Sequence, residues 1–191
     1  MKTASINPIP LDFIEQRDQS NKIIGKWLFV MCGMVFAMVI IGGLTRLTHS
    51  GLSMTNWRPF LGWLPPLSLQ EWQLIFEAYK ETPEFKKINY DMTLTGFKSI
   101  FWLEYGHRLW GRLMGLAFIF PLVFFIVKGW VNRRLLVHLI LILILGASQG
   151  VLGWYMVKSG LVDNPDVSQY RLTAHLGVAF LIFGYMLWMG L

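Results

Sequence analysis

Four long apolar runs set the terms for everything else in this 191-residue chain: Trp27–Leu44, Leu109–Val127, Leu135–Val157 and Leu172–Leu191. A helix needs about 20 apolar residues to cross the hydrocarbon of a bilayer. A backbone inside lipid must satisfy its own hydrogen bonds, which leaves helices and closed barrels. Runs this continuous are helical, so the expected fold is all-α: an integral membrane four-helix transmembrane bundle, with a long outer loop that contains short amphipathic helices. Hydrophobic residues make up 54% of the chain, more than a soluble core explains. The single cysteine, Cys32, lies inside the first run. That leaves no intramolecular disulfide and no cysteine-type metal cluster. The net charge of +6 would suit nucleic acid in a soluble chain. With four spans it points instead to the lipid bilayer, to topology and to an anionic ligand, and no nucleic acid is expected.

The basic residues orient the spans. Lys128, Arg133 and Arg134 crowd the short turn between the second and third runs, and Lys22 and Lys26 precede the first. Both places are expected inside, on the cytoplasmic or matrix face. Residues 1–26 then form an inner tail, flexible with a short surface helix and without a signal-cleavage site. Residues 27–191 form the bundle, with the loop 46–105 outside, and the segment 158–171 also falls outside. Within the outer loop, Asn56-Trp57-Arg58-Pro59 and Pro65-Pro66 break any helix. Ser68-Leu69-Gln70-Glu71 is a capping box, and Leu69, Trp72, Phe76 and Tyr79 follow on one stripe. This predicts an amphipathic helix of about twelve residues over the bundle or the membrane surface. Thr93 or Thr95 is placed to cap a further helix running into the second span. The last run stops at Leu191 with no polar residue after it, as expected of part of a longer protein.

The chemistry concentrates at Phe101–Gly115, where Glu104, His107, Arg108 and Arg112 stand at the edge of an apolar run. Ionisable groups are expensive there and so mark function by default. Glu104, His107 and Arg108 share one helical face, with Arg112 a turn further on. His175 stands in the same situation near the start of the fourth run. The second and fourth spans run in one direction, so His107 and His175 lie at similar depth. Two imidazoles on neighbouring helices at one depth can hold a haem iron from both sides. Arg108, Arg112 and Arg171 are suited to pairing with its propionates. The plainer alternatives are polar interfacial anchors for the histidines and a helix-start carboxylate for Glu104, favoured by the macrodipole. His138 reads as structural or interfacial, and His49 as a loop residue. Glu104-x-x-His107 has the spacing of a di-metal carboxylate bundle, but the other spans lack the second such pair.

These residues sit in segments that resemble the haem A synthase family, in its mitochondrial-like branch. The segments are Gly42-Gly43-Leu44-Thr45-Arg46-Leu47-Thr48, Ser50-Gly51-Leu52-Ser53-Met54, Trp57-Arg58-Pro59, Pro65-Pro66, Glu71-Trp72, Phe97–Trp102, Glu104–Arg108, Gln149–Trp154, Met156–Leu161 and Tyr170–Leu176. The resemblance implies an eight-span protein of two four-helix halves, each with a histidine pair, and this chain is similar to the N-terminal half. It implies oxidation of the C8 methyl of haem O to the formyl of haem A, for cytochrome oxidase assembly. His107 and His175 match haem-ligand positions, and Glu104 matches the acidic residue before the first, here expected to be catalytic. The expected cofactors are haem b, substrate haem O, or both. The expected partners are haem O, a ferredoxin-type electron donor, haem O synthase and a second copy of the chain, in a bacterial or mitochondrial inner membrane. Oxidation could proceed with departure of one histidine, or by electron removal with water as nucleophile. A non-catalytic bis-histidine electron carrier and an assembly scaffold are the other readings of the same residues.

Overall fold

A computed structural model of the chain describes residues 11–55, 63–160 and 168–191, with the side chains of all but 11–14 and 159–160. The described residues form six helices and no strand: α1 (Leu11–Leu47), α2 (Leu69–Lys80), α3 (Pro83–Lys87), α4 (Leu94–Val127), α5 (Arg133–Gly160) and α6 (Gln169–Gly190). Four of them, α1, α4, α5 and α6, are long and apolar enough to cross a membrane. The fold is the expected all-α membrane bundle. The Asn56–Pro59 turn and the acidic pair Asp163 and Asp166 lie outside the described residues.

α1 packs against both α4 and α6, α5 packs on α6, and α4 and α5 meet more sparsely. The order around the bundle is therefore α4, α1, α6, α5. Lipid tails are as apolar as leucine, so close packing and cross-helix hydrogen bonds hold such a bundle. At the end bearing the 128–132 turn, a Cβ on Gly25 would lie 3.0 Å from the Gly190 carbonyl oxygen. Only glycine lets α1 and α6 approach so closely. Trp27 donates its indole N–H to the Ala117 carbonyl and Trp110 donates to that of Met34, each at 3.0 Å, tying α1 to α4. The buried apolar cluster, including Leu28, Met31, Val35, Phe118, Leu122, Leu139, Ile142, Ile182 and Met186, fills this turn-end half. Outward-facing Val30, Phe36, Phe120 and Leu181 are exposed, as suits lipid.

One boundary differs from the expectation. The first helix begins at Leu11, not Trp27, so most of the expected flexible tail is helical. Its polar segment favours helix: Asp18 and Lys22 pair at 2.7 Å across one turn. Ser20 turns its hydroxyl back onto the Gln16 and Arg17 carbonyls, and Ile24 is already in the core. The second span, by contrast, begins as expected: α4 is capped by Thr93 and runs without a break into the apolar run.

The outer loop folds against α4. The capping box at Ser68 forms as expected and starts α2. Glu71 closes it by accepting from the Leu67 and Ser68 amides, which holds its carboxyl below the ordinary range. Trp72, Phe76 and Tyr79 bury against Phe97, Phe101 and Tyr105 of α4. Leu69, expected on this stripe, is exposed. At the first helical position its side chain leans back past the edge of the contact. The short α3 then places Glu84 under α2. It is buried and accepts from the Tyr79 hydroxyl at 3.0 Å. Burial pushes the Tyr79 phenol above its ordinary value.

Candidate functional site

The loop-end half of the bundle is built differently from the turn-end half. Beyond Ile142 on α5, and before Ile182 on α6, no described side chain is fully buried. The two sequence-predicted histidines meet in this half. α4 and α6 run in the same direction, and both histidines lie on the loop-end part of their helices. Each ring rests beside a glycine of a neighbouring helix. A Cβ on Gly42 of α1 would lie 3.3 Å from His107 Nε2, and one on Gly153 of α5 would lie 3.6 Å from His175 Cε1. Nδ1 of His175 and Nε2 of Gln149 are cut off from solvent without a hydrogen-bond partner among the described residues. A buried polar atom left in that state costs about 1–3 kcal/mol. A flat, largely apolar group with polar substituents, ligated by two imidazoles, fits these surroundings.

Glu104 lies one turn before His107 on α4 and is 2% exposed. Its Oε2 accepts from the Ser53 hydroxyl at 2.6 Å and from the Met54 amide at 2.8 Å. Its Oε1 pairs with Arg108, which also donates to the Met54 carbonyl at 3.2 Å. This clasp fastens the end of the Ser50–Met54 segment to the helix that carries His107. Upstream, Ser50 is fully buried and donates to the Thr45 carbonyl, so the segment is tied back to α1 as well. α4 begins at Leu94, so Glu104 is not a helix-start carboxylate and the macrodipole does not account for it.

The arginines are dispersed along the loop end. Arg108 belongs to the clasp. The Arg112 guanidinium lies 5.7 Å from the Trp63 ring, and Tyr105 donates to the Trp63 carbonyl at 2.7 Å. Arg171 is turned onto Tyr155, 4.0 Å from the ring centroid, and donates to the Tyr155 carbonyl. The structure therefore joins Glu104, His107, Arg108 and His175 in one region and draws Arg112 and Arg171 to its rim. His138 lies in the other half, where Nδ1 and the Tyr185 hydroxyl share a hydrogen bond at 2.6 Å. His49 is an exposed loop residue with φ 51°. Among the described residues there is no group of three or more His, Cys, Asp or Glu that could hold a metal ion.

Residue spacing alone did not single out Ser53, Trp63, Gly42, Gly153 or Gln149. The glycines left a signal in retrospect, as small residues interrupting apolar runs at the depth of each histidine. Ser53 and Trp63 act through a non-helical loop whose fold no periodicity reports.

The fold and site define an all-α integral membrane protein whose bundle brings paired histidines from two same-direction helices together beneath a folded outer loop. The chain belongs to the COX15-CtaA family, described as cytochrome oxidase assembly protein, which it matches over residues 25–191. It is 56% identical over 177 residues to "Heme A synthase" of Nitrosospira multiformis, covering 93% of this chain and 50% of that one. It is 49% identical over 178 residues to "Heme A synthase COX15" of Bos taurus, covering 90% and 43%. The chain thus spans about half the length of these curated relatives. No solved structure matches it.

Proposed function

We propose that this chain is the haem-holding N-terminal half of a haem A synthase, which oxidises the C8 methyl of haem O to the formyl of haem A. The observation that carries this is the seating of His107 and His175, each against a glycine of a neighbouring helix in one half of the bundle, in a chain so similar to proteins of that name. A haem held there supplies the redox chemistry. The chain supplies place and charge. His107 and His175 ligate the iron, and Gly42 and Gly153 let the rings stand close to α1 and α5. Arg108, Arg112 and Arg171 are the cations placed to pair with carboxylates of the bound group.

Glu104 is the acid–base candidate, one turn from His107 and at the edge of the group the pair would hold. Its three bonds to Ser53, Met54 and Arg108 favour a second role, in which it positions His107 by locking the loop to α4. The bound haem is haem b, substrate haem O, or both in turn. The electron donor is of ferredoxin type, haem O synthase hands on the substrate, and the setting is a bacterial or mitochondrial inner membrane with residues 128–134 inside. Haem A synthase as the name of the relatives favours this over a plain electron carrier.

Pigment analysis of membranes carrying the full-length protein tests the proposal. Glu104→Gln should lower conversion of haem O about 10²-fold if the carboxylate moves a proton, with bound haem retained. Under the positioning role alone, haem content should fall together with conversion. An unchanged yield of haem A from His107→Ala, His175→Ala and Glu104→Gln together would reject the proposal.

A further inference from the structure

Gln149 stands one helical turn from Gly153 on the same face of α5, and Gly153 is where α5 meets the His175 ring. Its amide nitrogen is sealed from solvent and makes no hydrogen bond among the described residues. A buried amide donor on the face that meets the histidine region calls for an acceptor that no described residue provides. The charged groups sit in the other direction. Arg108 reaches Met54, Arg112 faces Trp63 and Arg171 lies on Tyr155, all toward the loop end. α5 runs from the turn end to the loop end, so Gln149 is a turn deeper than the contact of Gly153 with His175. An anionic substituent is served at the rim. What Gln149 meets lies a turn deeper than that contact.

We infer that Gln149 is a specificity-determining residue whose amide N–H donates to a neutral oxygen, hydroxyl or carbonyl, on the deep edge of the tetrapyrrole held by His107 and His175. The inference rests on the histidine-pair reading above. It gives the site a means of telling an oxygen-substituted haem from one whose deep edge is all hydrocarbon, because the latter leaves the amide unsatisfied.

The test compares two probes on the purified 191-residue chain in detergent: protohaem, and protohaem with one vinyl replaced by formyl. Affinities are read by absorption titration, for wild type and for Gln149→Met, which keeps length but removes the donor. Wild type should prefer the formyl haem by about tenfold, the scale of one hydrogen bond gained or left unmade. Gln149→Met should bind both with a six-coordinate low-spin spectrum and lose that preference. A preference kept in Gln149→Met, with the low-spin spectrum intact, would overturn the role of Gln149 and leave the histidine pair standing. If neither probe gave a low-spin spectrum that depends on His107 and His175, the histidine-pair reading and this inference would fall together.

Discussion

Replacing Glu104 by glutamine removes one charge from a sealed pair while keeping the side chain's shape. The carboxylate takes three donors: the Ser53 hydroxyl, the Met54 amide and the Arg108 guanidinium. The Glu104 and Arg108 side chains are only 3% and 14% exposed. Glutamine offers one oxygen and one NH2 group. Whichever way it turns, a donor faces either Arg108 or the Ser53 and Met54 donors. Breaking a buried pair from one side costs about 3–5 kcal/mol, and the residual exposure of Arg108 puts the expected loss near the lower end, about 3 kcal/mol. Ser53→Ala removes one neutral donor to a charged acceptor and should cost about 1.5–3 kcal/mol. Glu104→Gln with Arg108→Gln should cost clearly less than the sum of the singles, because the second change removes the stranded charge. The assay is reversible unfolding in mixed detergent micelles, followed by tryptophan fluorescence, with protease cleavage of the outer loop as a local readout. A loss below about 1 kcal/mol for Glu104→Gln, or strict additivity in the double variant, would refute the clasp.

Three other outcomes follow from the same geometry. Gly42→Val places branched carbon against His107 Nε2, which already sits 3.3 Å from a Cβ there; haem content should drop severalfold while the helices remain formed by circular dichroism, and a full haem complement would show the ring does not work from that position. The Glu71 carboxyl is held below its ordinary range by the capping box. A depressed folded value gives stability that is present above the ordinary carboxylate value and lost as pH falls through the folded one, so amide exchange in α2 should speed up below that range. Glu71→Gln should flatten this dependence, and an unchanged pH profile would dismiss the box as its source. Finally, single cysteines at Asn132 and Asp163 should label from opposite sides of sealed vesicles; labelling from one side would contradict the proposed topology.

Much of the fold was legible because lipid leaves few choices. Apolar runs of spanning length must be helices, and parity alone put His107 and His175 on helices running the same way. The α2 cap was readable because Ser68 and Glu71 satisfy each other locally. The start of α1 was not, since residues Glu15 to Lys22 look like solvated tail until the Ile24 packing is known. Glu104 was legible as an ionisable group at the edge of an apolar run, on the helical face it shares with His107 and Arg108. Its other two partners, Ser53 and the Met54 amide, come from some fifty residues away, and no local pattern predicts that return. The Arg171 side chain was expected at the histidines by helical position alone. Its long stem instead carries the guanidinium onto Tyr155, a choice between two nearby partners that spacing cannot make.

The central claim is that one haem is ligated by His107 and His175. Low-temperature electron paramagnetic resonance of the oxidised, haem-loaded chain tests it most directly. Wild type should give a single low-spin ferric signal of the bis-imidazole type. His107→Ala and His175→Ala should each lose that signal, with high-spin ferric iron in its place or no haem retained. A wild-type low-spin signal persisting in either variant would contradict the claim and put the ligands elsewhere in the chain.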